Sequence, residues 1–254
     1  MKKIIVNGFR GKLGRAICDV IMKSEDCELT AGVDSWVPVP AETLTYPSFT
    51  DISDCDMSAD VIIDCHLAEY VPKVIGYATE KKTPLIICTT GLSDGTLSLI
   101  GEAAESIAVL RSANMSLGIN LMTNILGRVS ELLSESGFDI EIVESHHNQK
   151  TDSPSGTAVV LAEAMNRDGR FEYTYGRTPD VRVKRSKKEI GFHSIRGGTI
   201  IGEHSVIFAG RDEIIEIKHT AISKDLFAVG AVKAAKFMAG KSPGLYCMDD
   251  VINS

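Results

Sequence analysis

The stretch Ile4-Ile5-Val6-Asn7-Gly8-Phe9-Arg10-Gly11-Lys12-Leu13-Gly14 decides the fold. Its first three residues are β-branched and apolar, as in a short strand buried on both faces. Three glycines follow at three-residue spacing, and Leu13, Ile17, Val20 and Ile21 then recur at helical intervals, with the helix expected to open at about Arg15. A strand that turns through glycines into a helix lets main-chain N–H groups approach a phosphate at the positive end of that helix, because glycine carries no Cβ. The spacing is G-x-x-G-x-x-G, not the strict G-x-G-x-x-G, so alone it also fits an ordinary tight turn. Asp34 adds a second feature: it lies twenty residues beyond Gly14, at the end of the next apolar run, where an acid can accept hydrogen bonds from an adenosine ribose. Gly8, Phe9, Arg10, Gly11, Lys12, Leu13 and Asp34 therefore form a candidate dinucleotide site. A carboxylate repels a 2′-phosphate, and Ser35 rather than an arginine follows it, so NADH is the expected cofactor; Arg10 and Lys12 leave NADPH open.

Working outward, apolar runs at 29–33, 61–64, 85–88 and 108–111 alternate with helical spacing such as Leu67, Val71, Val74 and Ile75. This is the pattern of a Rossmann-like, doubly wound parallel sheet in an α/β protein. Ligands bind such folds outside the carboxyl ends of the strands, which nominates Cys88, Thr89 and Thr90, and then Ser112, Ala113, Asn114 and Met115, as neighbours of a nicotinamide and its ribose. Capping of the next helix is the alternative use of both loops. From Phe138 the texture changes: Ile140 and Ile142 alternate with Glu141, and two strand-like runs at 205–208 and 213–218 flank a hairpin loop at Gly210-Arg211-Asp212. The expected organisation is a dinucleotide-binding domain at 1–115, a second α+β domain with a mostly antiparallel sheet at 116–224, and a return to the first domain at 225–254, where Leu226, Val229, Val232, Ala235 and Phe237 have helical spacing.

With 44% apolar and 24% charged residues in 254, the chain has the composition of a globular protein able to bury a large core. A net charge of −7 argues against general nucleic-acid binding, which needs clustered cations facing phosphates. The basic run Lys184, Arg185, Lys187 and Lys188 is the exception, and it reads as a solvated loop or strand edge, with steering of a small anion as its other use. Six cysteines without a C-x-x-C pair read as reduced thiols. Only the short apolar run Ile4-Ile5-Val6 precedes Asn7-Gly8, too little for a signal peptide, and no run approaches the ~18–20 apolar residues of a membrane span, so a cytoplasmic protein is expected.

The chemistry is concentrated in Glu144-Ser145-His146-His147-Asn148-Gln149-Lys150-Thr151-Asp152-Ser153-Pro154-Ser155-Gly156-Thr157-Ala158, at the end of a predicted strand and the start of a helix. His146 and Lys150 are candidate proton donors, while Ser155, Gly156 and Thr157 offer hydroxyls and helix-start N–H groups to a carboxylate, with His147 beside them. That is equipment for reducing a small, negatively charged substrate. A surface histidine pair followed by an ordinary N-cap is the plainer alternative. A metal site is disfavoured, because adjacent strand histidines point to opposite faces. Of the remaining histidines, His193, His204 and His219 read as structural, His193 being the exception to watch because of Arg196 nearby in sequence.

The segment resembles, at every fixed position, the signature E-x-H-H-x-x-K-x-D-x-P-S-G-T-A of the 4-hydroxy-tetrahydrodipicolinate reductase family. The resemblance extends through the glycine loop, Cys88-Thr89-Thr90-Gly91, Ala113-Asn114-Met115-Ser116, His193-Ser194-Ile195-Arg196-Gly197-Gly198, Gly202-Glu203-His204 and Tyr246-Cys247-Met248-Asp249-Asp250-Val251. It implies an oxidoreductase of lysine and diaminopimelate synthesis. His146 and Lys150 would be its acid–base residues, and His147, Ser155, Gly156 and Thr157 its substrate contacts. It further implies hydride transfer to C4 of the substrate ring after loss of the 4-hydroxyl, protonation of the neighbouring carbon, and a homotetramer built through the second sheet. The chain departs from the family pattern at Cys65-His66, Ser223-Lys224 and Met115, the first of which bears on nicotinamide contacts. Two other classes stay open on the residues alone: a dinucleotide-binding redox regulator without turnover, and a reductase for another small acid.

Overall fold

The structure, a computed structural model, describes residues 1–35, 44–179 and 183–254. The chain forms two compact units, one of residues 1–117 with 225–254 and one of residues 118–224. No helix among the described residues is long and apolar enough to cross a membrane.

The first unit is a parallel sheet wound on both faces. Its strands are β1 (Lys2–Asn7), β2 (Cys27–Val33), β3 (Ser48–Phe49), β4 (Val61–Asp64), β5 (Leu85–Ile87), β6 (Ala108–Arg111) and β12 (Gly244–Tyr246), ordered β12-β6-β5-β4-β1-β2-β3. Strand alternation sends Ile4 and Val6 to one side, where they meet Ile17 and Ile21 of α1 (Lys12–Met22) and Ala231, Ala234 and Ala235 of α6 (Asp225–Met238). Ile5 and Ile62 go to the other side, against Val74 and Ala78 of α2 (Val71–Lys81) and Ile100 of α3 (Asp94–Ala104). Burial on both faces explains why these strands read as unbroken apolar runs. Helix α1 starts at Lys12, three residues before the sequence expectation, because its cap is Gly11 with an extended backbone and Arg15 N–H already donates to the Gly11 carbonyl at 2.9 Å.

The second unit packs α4 (Leu117–Glu135) and α5 (Gly156–Met165) on one face of a sheet of β7 (Asp139–His146), β8 (Glu172–Tyr175), β9 (Glu189–Arg196), β10 (Gly202–Ala209) and β11 (Ile214–Ala221), ordered β11-β10-β7-β9-β8. The sheet is mixed. The antiparallel expectation describes β10, which pairs that way with β7 and β11 through the hairpin at 210–213, whereas β9 is parallel to both β7 and β8. Parallel pairing needs long crossover connections, and these leave no turn signature in the sequence. Arg185, in the basic run, is not a loose patch: it bonds Asp139, Glu141 and the carbonyls of Ile140 and Glu189, tying the loop before β9 to the strands.

Candidate active site

The glycine loop is shaped by close backbone approach. Gly8 has a φ of +84°, and a Cβ there would meet the Cys65 carbonyl at 2.8 Å; a Cβ on Gly14 would sit 2.1 Å from the Gly8 carbonyl oxygen. Only glycine lets α1 start this near the end of β1. Asp34, at the end of β2, accepts from the Arg10 N–H at 3.1 Å, which fixes the carboxylate beside the loop. A cavity of about 420 Å³ opens here, lined by Gly8, Arg10, Gly11, Asp34, Cys65, His66 and Tyr70 among others. The buried Arg10 Nε has no hydrogen-bond partner. These features suit a dinucleotide, with the first N–H groups of α1, which no carbonyl of the helix reaches, for its phosphates and an acid for its ribose.

The other nominated residues divide into those that can face a ligand and those that cannot. Phe9 and Met115 are buried in the core, Phe9 edge-on to Tyr46, so only their main chains can line the site. Lys12 is exposed at the helix start and Leu13 packs on the core. Cys88 is buried, and desolvation pushes its thiol well above the ordinary range. Thr89 donates to the buried Asp64 carboxylate at 2.7 Å, and Thr90 is exposed. Ser112 donates to the Asn114 carbonyl and Asn114 accepts from the Ser116 N–H, so that loop is ordered by its own side chains, while Ala113 is exposed.

His66 was missed as a site residue. It lies against the acid at the end of β2: its Nε2 is 3.2 Å from Ser35 Oγ and 3.6 Å from Asp34 Oδ1, and its Nδ1 accepts from the Leu67 N–H at 2.7 Å. The available signal was the departure Cys65-His66 after β4, which the sequence reading related to the nicotinamide instead.

In the second unit, strict alternation along β7 turns Ile140, Ile142, Glu144 and His146 to the buried face. Glu144 is 1% exposed, which is tolerable only for a carboxylate with its acceptor sites filled. Arg196, opposite His146 in the β7–β9 ladder, donates to both carboxylate oxygens at 2.7 and 2.8 Å; His146 Nδ1 lies 2.5 Å from Oε2, and the Ser155 N–H donates to Oε1 at 3.2 Å. Burial would raise the Glu144 pKa, but the hydrogen bonds from Arg196, Ser194 and His146 outweigh it and hold it at about 2. Removing either member of such a pair strands the other charge, at a cost of ~3–5 kcal/mol.

Ser155 caps α5, accepting from the Ala158 N–H at 3.2 Å, and its hydroxyl also meets His204 Nε2 at 2.9 Å. Desolvation, reinforced by the neighbouring His146, lowers the His204 pKa to about 4, so its ring is neutral at ordinary pH. The His146 and His204 rings stand edge to face at 5.1 Å. A Cβ on Gly202 would lie 3.1 Å from His146 Nε2, so the missing side chain leaves that nitrogen room. Gly156 is exposed with open space at its Cα, Thr157 is half-buried, and the Nδ1 of His147 is buried with no hydrogen-bond partner. Lys150 donates to Asp152 Oδ1 at 2.8 Å. His204, read from sequence as structural, thus joins the cluster. His193 does not: it pairs with Glu141 at 2.8 Å on the opposite face from Arg196, because three residues along a strand reverse the face.

A doubly wound sheet with a glycine loop and strand-end acid, carried with a buried imidazole–carboxylate centre beside a helix start, defines the chain as an oxidoreductase. The family model described as dihydrodipicolinate reductase, N-terminus, matches residues 2–115, and that described as dihydrodipicolinate reductase, C-terminus, matches residues 118–252; the chain belongs to this family. It is 45% identical to the 4-hydroxy-tetrahydrodipicolinate reductase of Clostridium novyi (strain NT), covering 100% of this chain and 99% of the relative, and 47% identical to that of Clostridium tetani (strain Massachusetts / E88), covering 100% and 98%. In fold it is similar to the dipicolinate-bound dihydrodipicolinate reductase from Paenisporosarcina sp. TG-14, with a TM-score of 0.81 at 22% identity over 97% of both chains. It is also similar in fold to the scyllo-inositol dehydrogenase from Lactobacillus casei, with a TM-score of 0.60 at 13% identity over 99% of this chain and 93% of the other.

Proposed function

We propose that the chain catalyses the NAD(P)H-dependent reduction of 4-hydroxy-tetrahydrodipicolinate to tetrahydrodipicolinate in lysine and diaminopimelate synthesis. The observation that carries this reading is the complete 144–158 signature on an ordered strand, loop and helix start, in a chain 45–47% identical over its full length to reductases of that name. The nicotinamide supplies the hydride when bound. The N–H groups of Lys12 to Gly14 at the α1 start would receive the cofactor's phosphates, and Asp34 its adenosine ribose; the strand-end acid favours NADH, and Arg10 gives NADPH a partner for its extra phosphate. Ser112 to Met115 and Cys88 to Thr90 serve its other end.

His146 hands a proton from Nε2 to the ring carbon beside the reduced one, and Lys150 stabilises the charge that develops there. The N–H groups of Gly156 and Thr157 at the start of α5, with His147, receive a substrate carboxylate. Arg196 is occupied by Glu144, so balancing the diacid falls to Lys150 and the helix start. A cytoplasmic homotetramer joined through the second sheet belongs to the same reading; the exposure of Ile214, 70% at the start of its outer strand β11, and of Ile222, 88% just past its end, supports the assembly.

The direct test mixes the protein with pyruvate, aspartate semialdehyde, the preceding condensing enzyme and NADH. Loss of NADH absorbance that requires all components is expected; an unchanged signal with freshly formed substrate and either NADH or NADPH rejects the reading.

A further inference from the structure

The geometry points to Glu144 as a positioning residue that fixes the tautomer and direction of His146 while anchoring the start of α5, so that proton donor and carboxylate cradle are set by one buried side chain. This rests on the proposed role of His146 as the acid. An ionised carboxylate only accepts hydrogen bonds, so the nitrogen 2.5 Å from Glu144 Oε2, His146 Nδ1, must carry the bridging proton. That leaves Nε2 as the nitrogen that takes up and releases the working proton, on the side where Gly202 has no Cβ to block it. The other carboxylate oxygen accepts from the Ser155 N–H, the residue whose hydroxyl caps α5.

Arg196 makes this arrangement rigid. Its two terminal nitrogens bind the two oxygens of Glu144 and also the carbonyls of Ile195 and Asp152, so the carboxylate cannot rotate without breaking several charge-assisted bonds. His204 closes the far side, edge-on to His146 and bonded to Ser155 Oγ. Its neutral ring adds no second cation beside the imidazole.

The first arm of the test needs no variant. Nitrogen-15 NMR of histidine-labelled protein, with His146 assigned by its absence from the His146→Asn spectrum, reads which ring nitrogen is protonated in the neutral state. Nδ1–H is expected, and Nε2–H overturns the inference whether or not any variant folds. In the second arm, Glu144→Gln turns one acceptor into an amide that faces Arg196. We expect kcat to fall on the order of 10²–10⁴-fold, KM for the diacid to rise, NADH affinity by fluorescence titration to stay within about twofold, and the Nδ1–H population of His146 to drop. A folded variant with kcat within about fivefold of wild type, or with an unchanged His146 tautomer, also overturns it. Failure of the wild-type protein to oxidise either NADH or NADPH with fresh substrate would reject the proposed reaction instead, and the tautomer measurement would still stand.

Discussion

In the first unit the candidate ligand groups are the first main-chain N–H groups of α1, brought close to β1 by the missing side chains of Gly8 and Gly14; in the second they are buried charged side chains saturated with partners, Glu144 with four donors and His146 with a carboxylate. One site depends on what is left out, the other on what is paired. A backbone cradle should fail when volume is added and tolerate many changes of charge, whereas a charge network should fail when one partner is neutralised.

Adding a single methyl group at the cradle is the severest way to break the contrast. Gly14→Ala puts a Cβ 2.1 Å from the Gly8 carbonyl, so NADH binding by calorimetry should fall below detection and stability by about 1–3 kcal/mol. Binding within tenfold of wild type would mean that the loop is not the holding element. Next, His146→Ala or Lys150→Ala should lower turnover by about 10² or more with NADH affinity little changed, the melting curve staying put for Lys150→Ala and falling for His146→Ala, which takes a partner from buried Glu144; near-normal turnover in both would remove the acid–base assignment. Smaller again, Asp34→Ala should cut kcat/KM for NADH by about tenfold, in keeping with a charge-assisted bond of ~1.5–3 kcal/mol, and spare NADPH. Equal losses with both cofactors would contradict a ribose role.

The mildest test is thermodynamic. His204 has a folded pKa of about 4 against 6.5 in an exposed chain, so above pH 6.5 it makes no pH-dependent contribution. Between 6.5 and about 4 the unfolded chain takes up a proton that the folded chain refuses, and stability falls by about 1.4 kcal/mol per pH unit. Glu144 acts lower: its depressed pKa contributes stability that is present above 4.5 and lost as pH drops toward 2. Denaturant midpoints measured across this range should give His204→Gln a shallower slope between pH 6.5 and 4, with the Glu144 loss below 4.5 retained. An unaltered slope in the upper window would show that His204 titrates normally in the folded protein.

What the sequence disclosed follows the same division. Backbone geometry leaves local marks, so the strand, glycine loop and helix of 4–22 and the acid at 34 could be read in order along the chain. Paired side chains leave none: Glu144 finds Arg196 52 residues away, Ser155 finds His204 49 residues away and His66 finds Ser35 31 residues away, and no spacing rule joins such distances. Glu144 did have a local sign. An acid at an inward position of an alternating strand, two residues before a histidine and after two inward isoleucines, must have a partner, even if its identity comes only from the β7–β9 register.

The way the chain closes has a consequence for its synthesis. Residues 225–254 complete the first unit: α6 covers the α1 face of the sheet, Lys236 ties back to Asp26 at 2.7 Å, and β12 extends the sheet beyond β6. A nascent chain that has emerged only as far as residue 224 therefore holds a nearly finished second unit beside a nucleotide-binding half with one oily side still bare. Ile4, Val6, Ile17 and Ile21 share one core with α6, so that face of the sheet is fully covered only once residues 225–254 have been made.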